Sequence, residues 1–273
     1  MKIIRFLADD GRILYGEYKP AQPEFADIIT GDIFHDLIIT SEKARIKHIL
    51  SPLTPSNILA IGLNYRHHAE ETGAAIPEYP VLFMKATTSV IGHQESILLP
   101  EAGAEKVDYE AELAVVIGRN AKNLRISEAM DCILGYTCAN DVSARDWQGG
   151  KQKGQWVRAK SFDTFCPLGP CLVTKDEIVD PNRLRIRTIL NGAEVLQDSS
   201  TSNMIFNIET IVSFLSQSMT LLPGTVILTG TPEGVGFTRK PPLFLKTGDW
   251  ITIEIEGIGR LSNPVAEEHR SLS

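Results

Sequence analysis

The chain has 273 residues, 43% of them hydrophobic, and a formal net charge of -7. That length predicts one large unit, or one large and one small, with a sizeable core. The acidic balance argues against a general binder of nucleic acid or anionic membranes, because those surfaces attract basic proteins. No run is apolar for long enough to span a bilayer. The opening MKIIRFLADDGR lacks the apolar core and cleavage site of a signal peptide. Cys132, Cys138, Cys166 and Cys171 form neither a CxxC pair nor zinc spacing, which predicts free thiols in a reducing cytoplasm.

Lys2 to Leu7 and Ile13 to Tyr18 are apolar-rich runs joined around Asp10-Gly11, a hairpin signal, so residues 1–52 are expected to form a small β domain. SPLTPSN, Ser51 to Asn57, reads as a connector. The larger unit, residues 53–273, has many strand candidates. Ile58 to Leu63 leads to a short helix, Arg66 to Glu71, stopped at Gly73. Leu113 to Ile117 continues an acidic strand. Ser127 is expected to cap a helix running to Leu134, with Gly135 after it. An extended piece then ends at Asn140 and Asp141. The clearest helix is Ile208 to Ser218, with Ile208, Ile211, Val212 and Leu215 at helical spacing and Asn207 as its cap. Leu184 to Leu190, Thr225 to Thr229 and Trp250 to Glu256 read as strands. Strands outnumber helices and do not alternate with them, which predicts a mostly β, α+β fold.

The chemistry centres on DYEAE, Asp108 to Glu112, followed directly by LAVVIG. Along a strand, Asp108, Glu110 and Glu112 share a face that continues with Ala114 and Val116. Carboxylates placed beside core need a partner, because an isolated buried charge is very costly. Glu110 and Glu112 lie roughly 6.5–7 Å apart along the strand and can converge on one cation. Asp141, where a strand gives way to a loop, is a candidate third ligand. An all-oxygen set selects Mg2+ or Mn2+ over zinc. Alternation alone does not say which of the three strand acids bind.

His68 and Glu71, at i and i+3, are neighbours on a helix, an arrangement that orients an imidazole as a general base. Such pairs are also frequent on solvated helix surfaces. Lys160, in WVRAKSFD, sits among aromatic and apolar residues, where an ammonium can stabilise a developing oxyanion or enolate, although a lone lysine is more often at the surface. The glycine-rich turn TGTPEGVG, Thr229 to Gly236, can bring backbone amides and the Thr231 hydroxyl to a carboxylate. It lacks the GK[ST] ending of a phosphate loop.

Taken together, GLNYRHHAEETG, VDYEAELAVVIG, GYTCANDVSARDWQ, AKSFDTFCPLGP and LTGTPEGVG strongly resemble the fumarylacetoacetate hydrolase family. The resemblance covers about residues 53–265. It implies a mixed β-sandwich roll with a small N-terminal β domain, a bound Mg2+ or Mn2+, and a homodimer. Carried over by position, it makes Glu110, Glu112 and Asp141 the metal ligands, in preference to Asp108. His68 and Glu71 match a water-activating dyad, and Lys160 matches the lysine facing the substrate oxyanion. Arg145, Gln148 and Thr231 match positions that contact the substrate carboxylate or position water. The reaction so implied is hydrolysis of a carbon–carbon bond in an acylpyruvate-type 2,4-dioxo acid. Oxaloacetate decarboxylation is the runner-up, with hydration or isomerisation of 2-oxo acids also within the family's range. Thr72 to Pro80, rich in Ala, Gly and Pro, is expected to act as a lid that excludes bulk water.

Overall fold

The computed structural model describes residues 1–102, 104–150 and 154–268. The first strands, β1 (Lys2–Ala8) and β2 (Ile13–Tyr18), form the expected antiparallel hairpin, with Ile3 opposite Glu17. β3 (Phe25–Thr30) and β4 (Ile38–Leu50) continue the meander, and β4 returns to pair with β1. The four strands therefore close on themselves around Ile4, Phe6, Ala26 and Ile28. The start of β1 reaches further, with Ile3 opposite Leu172 on β13 (Cys166–Thr174). One sheet thus runs across the connector at Ser51 to Ser56 and joins the N-terminal strands to the rest.

Beyond the connector come β5 (Asn57–Gly62), helix α1 (Arg66–Thr72) and β6 (Val81–Lys85). Gly73 ends α1 at φ +66°, in the left-handed conformation that glycine adopts without steric cost, and its amide bonds back to the last turn. Three short strands follow: β7 (Val90–Ile91), β8 (Ile97–Leu99) and β9 (Val107–Asp108). Then come β10 (Ala111–Ile117), β11 (Ile133–Asn140), β12 (Ser143–Ala144) and the one-turn helix α2 (Trp156–Lys160). The chain closes with β14 (Arg185–Leu190), β15 (Glu194–Ser200), α3 (Ile208–Ser218), β16 (Thr225–Leu228), β17 (Trp250–Ile255) and β18 (Gly259–Glu267).

The large sheet has eleven strands and passes β13-β11-β10-β16-β5-β6 through its centre. A second, five-stranded sheet of β15-β14-β17-β18-β8 packs on it. Leu113, Val115 and Cys138 of the first meet Ile186, Ile253 and Leu261 of the second in one core. On the other face of β10, Ala114 and Val116 pack with Ile58, Ala60 and Val226. Both faces of β10 are buried, so LAVVIG is a central strand. The fold is mostly β with few helices, as the element count in the sequence predicted.

Two expectations need correction. The helix expected from Ser127 to Leu134 is a 3-10 segment, Ile126–Cys132, that begins at Arg125 and gives way to β11 at Ile133. Glu128 caps it by accepting the Arg125 amide. Gly135 is not a helix stop. It lies inside β11, where a Cβ would fall 2.1 Å from the Val173 carbonyl oxygen, so β13 can approach only a glycine. The run DYEAE is also not one strand. Pairing breaks between Asp108, the end of β9, and Ala111, the start of β10, so Glu110 lies in the break itself and only Glu112 belongs to β10.

Candidate metal centre and catalytic dyad

β10 and β11 run antiparallel with Ala111 opposite Asn140, which puts Glu112 near the strand end where Asp141 follows. Asn140 secures the approach, because its Oδ1 accepts the Glu110 amide at 3.0 Å. Glu110, Glu112 and Asp141 are all buried, and each offers an oxygen within 4.8 Å of the others'. Lys160, at the end of α2, donates to Glu110 Oε2 at 2.9 Å, Asp141 Oδ2 at 2.5 Å and the Ser143 hydroxyl at 2.7 Å. Its ammonium also lies 5.1 Å from the Phe83 ring centre. Burial opposes that charge, but Asp141 and Glu110 outweigh it and hold the Lys160 pKa above the usual lysine range. Lys85, which sequence reasoning did not single out, reaches Asp141 Oδ1 at 2.5 Å.

Burial raises both glutamates, yet their net shifts are opposite. Burial pushes Glu110 up, yet Lys160 and Arg145 overcome it and bring its pKa down to about 2. Glu112 accepts the Gly230 amide at 2.6 Å and forms no ion pair among the described residues. Burial, then Asp141 and Glu110, push its carboxyl well above the ordinary value. A buried carboxylate with two acidic neighbours and no ion pair of its own among the described residues suits a hard divalent cation.

Asp108, the acid that alternation left open, serves elsewhere. Its carboxylate accepts the amides of Gly236 at 2.7 Å and Phe237 at 3.0 Å, and Arg145 Nε at 2.9 Å. Arg145 also lies 2.6 Å from Glu110 Oε1, donates to Gln148 Oε1 at 2.9 Å and stacks over the Phe237 ring.

α1 carries the dyad. His68 Nδ1 lies 2.7 Å from Glu71 Oε1, and His68 is buried. Glu71 Oε2 accepts the Gly234 amide and the Thr238 hydroxyl, both at 3.0 Å. Burial raises the Glu71 pKa, but His68 and the Gly234 amide lower it more, so the net shift is downward. An ionised Glu71 accepts a hydrogen bond from Nδ1–H and leaves Nε2 as the ring nitrogen free to exchange a proton.

The glycine-rich turn after β16 ties these groups together. Gly230, Gly234 and Gly236 each give an amide to a different acid, respectively Glu112, Glu71 and Asp108. The carboxylates it meets are the protein's own. Thr231 is held from behind, its hydroxyl accepting Gln197 Nε2 at 3.0 Å. Gln197 in turn accepts the Ala111 amide and the Thr188 hydroxyl, and so fixes the turn to β10.

One cavity of about 430 Å³ gathers the set. His68, Glu110, Glu112, Lys160, Arg145, Gln148 and Thr231 line it, with Phe83, Trp156 and Phe237 as apolar walls. Thr72 and Ala74, from the segment expected as a lid, also border it. Glu71 and Asp141 stand behind that lining, each bonded to a group in it.

A buried carboxylate trio beside a histidine–glutamate pair, in a two-sheet roll, defines a class of enzymes whose members are typically dependent on a divalent metal. The profile described as "Fumarylacetoacetate (FAA) hydrolase C-terminal" matches residues 57–266, and the chain belongs to the fumarylacetoacetate hydrolase family. Among curated relatives, a mitochondrial oxaloacetate tautomerase of Xenopus laevis is 50% identical over 218 residues, covering 80% of this chain and 68% of that protein. Among solved structures, a 5-carboxymethyl-2-hydroxymuconate delta-isomerase from Mycobacterium smegmatis is 41% identical with a TM-score of 0.86, covering 98% of this chain and 100% of that one. A fumarylacetoacetate hydrolase from Exiguobacterium antarcticum is 35% identical with a TM-score of 0.83, at the same two coverages.

Proposed function

We propose that this protein moves a proton on a short 2-oxo acid, interconverting the keto and enol forms of an oxaloacetate-like substrate. The observation that carries the reading is the His68–Glu71 pair opening into the same cavity as Glu110 and Glu112. Two of the similar proteins just described, a tautomerase and an isomerase, favour proton transfer over the hydrolysis that the motifs first implied.

Glu110, Glu112 and Asp141 would hold Mg2+ or Mn2+, which when bound supplies Lewis-acid polarisation of the substrate carbonyl. His68, with Nδ1 hydrogen-bonded to Glu71, takes a proton from carbon 3 of the keto acid at Nε2 and delivers it to the oxygen on carbon 2, which completes the enol; in the reverse direction it takes the enol proton and returns it to carbon 3. Lys160 presents positive charge to the cavity where the substrate oxygen gains negative charge. Arg145 and Gln148 line the wall and orient a carboxylate, and the Thr231 hydroxyl, accepting from Gln197, keeps its own proton to donate. Phe83, Trp156 and Phe237 limit water around the reacting carbon.

Hydrolysis of acylpyruvates is the second reading, because the same dyad acting on water rather than on carbon would start it. Oxaloacetate decarboxylation needs neither role of His68. The deciding experiment follows oxaloacetate enol decay, oxaloacetate decarboxylation and acylpyruvate cleavage with Mg2+ or Mn2+, in the wild type and in His68→Ala. Accelerated enol decay that His68→Ala abolishes supports the first reading. Acylpyruvate cleavage without enol decay moves the protein to the second. We also expect a homodimer, which light scattering on the intact chain would test. A reducing cytoplasmic setting is in keeping with four buried cysteines, all free thiols.

A further inference from the structure

Lys85 is the last residue of β6, and its side chain is fully buried. No step proposed above uses it. Its ammonium bonds Asp141 Oδ1 at 2.5 Å and the Val142 carbonyl at 3.3 Å, while Lys160 occupies Asp141 Oδ2 at 2.5 Å. One carboxylate therefore carries a lysine on each oxygen. Orientation alone would not need the second, because Lys160 already grips Asp141.

Charge supplies a reason. Around the carboxylate cluster, Asp108, Glu110, Glu112 and Asp141 face Lys85, Arg145 and Lys160. With all groups ionised, four negative charges against three positive leave a net charge of about -1, which a divalent cation turns to about +1. The head of a 2-oxo acid carries one negative charge, so the loaded cluster matches it. Without Lys85 the loaded cluster would be neutral, and the empty one would be more acidic.

We infer that Lys85 is a positioning residue acting through Asp141, and that its charge weakens the hold on the divalent cation while strengthening the loaded site's hold on an anionic substrate. This rests on the proposed cation site. Two opposed effects follow from one charge, and a merely structural lysine would not produce them.

The test substitutes Lys85→Gln, which removes the charge and keeps a polar donor on a side chain one bond shorter. Mn2+ is titrated into the wild type and the variant, and oxalate, which offers a vicinal pair of oxygens like that of a 2-oxo acid, is then titrated into each Mn2+-saturated protein. Neither measurement involves turnover. The expected result is Mn2+ binding about tenfold tighter and oxalate binding about tenfold weaker, from the loss of one buried charge a few ångströms away. Lys85→Arg, which keeps the charge, should return both constants toward the wild type. If Lys85→Gln does not fold, Lys85→Met takes its place with the same two signs expected. Weakening of both ligands, or no change in either, overturns the inference. A wild type that binds no Mn2+ overturns the cation site itself, and that outcome is read before any variant is made.

Discussion

Asp108 Oδ2 accepts Arg145 Nε at 2.9 Å, and the same guanidinium lies 2.6 Å from Glu110 Oε1. The first acid of DYEAE thus holds the arginine that helps keep the second one ionised. It is an anchor for the site and not a member of the trio. Asp108→Asn should destabilise the fold by about 3 kcal/mol, because it leaves a nearly buried guanidinium with one carboxylate fewer. Mn2+ should still bind with the same stoichiometry. Denaturant melts and an Mn2+ titration check both parts, and loss of the Mn2+ site would make Asp108 a ligand after all.

The dyad predicts a separation of chemistry from binding. His68→Gln should lower turnover of the oxaloacetate enol by about 10²–10⁴-fold, the usual worth of a general base. Glu71→Gln should cost less, because the imidazole remains but loses its orienting charge. Neither residue belongs to the trio, so Mn2+ affinity should hold in both variants. A His68→Gln enzyme at full rate removes the imidazole from the proton transfer.

Gly230 stands at φ +100°, and a Cβ there would fall 2.7 Å from Asn64 Cβ. Asn64 cannot step aside cheaply, since its side-chain amide bonds the Thr229 and Phe206 carbonyls. Gly230→Ala should therefore cost about 1–3 kcal/mol in backbone strain and also weaken Mn2+ binding, because the Gly230 amide holds Glu112. Gly73→Ala is the control. Its φ is +66° with nothing within 4 Å, so only a backbone cost of about 1 kcal/mol is expected, with Mn2+ affinity unchanged. Paired thermal melts with and without Mn2+ distinguish the two.

The opposed glutamates set a pH dependence. Glu110, held near 2, is ionised throughout the working range and adds none. Glu112 is raised, so below its folded pKa a cation must displace its proton. Mn2+ affinity should climb with pH, by up to about tenfold per unit, and level off above that pKa. Calorimetry in buffers of different ionisation heat would detect the released proton; a profile that stays flat above the ordinary glutamate pKa would count against it.

Glu71 works in the other direction. Its folded pKa lies below the unfolded value, so its pairing with His68 and the Gly234 amide stabilises the protein above the ordinary glutamate pKa. That contribution is lost as pH falls from there through the folded pKa. Comparing the wild type with Glu71→Gln in acid melts should show the difference between them shrinking over that window. A difference independent of pH would mean that Glu71 is not ionised in the folded protein.

Local pattern carried much of this far. The helix Ile208–Ser218 and its Asn207 cap stand where the apolar spacing put them, with Asn207 accepting the Thr210 amide. Arg66–Thr72, Trp250–Ile255 and the first hairpin follow from signals within a few residues of one another. The acids of DYEAE drew notice because alternate acids running directly into apolar strand are costly without a shared partner, but alternation did not separate Asp108 from Glu110 and Glu112; the family resemblance did. The 3-10 segment at Ile126–Cys132 was misread, since Gly135 looks like a helix stop until β13 is seen lying against it.

Residue types and short-range spacing were enough for the mostly β class, and they offered acids beside core and a histidine three residues from a glutamate as candidates, because each depends on neighbours close along the chain; the family resemblance, not spacing, preferred Glu110, Glu112 and Asp141 over Asp108. Which acid binds Arg145, which lysine faces each oxygen of Asp141, and which carboxylate meets each of three glycine amides came only with the folded chain. Asp141 and Lys85 are 56 residues apart, and Gly236 and Asp108 are 128 apart. Such partners are chosen by strand register and by the cost of leaving a buried charge unpaired, and no local pattern encodes either.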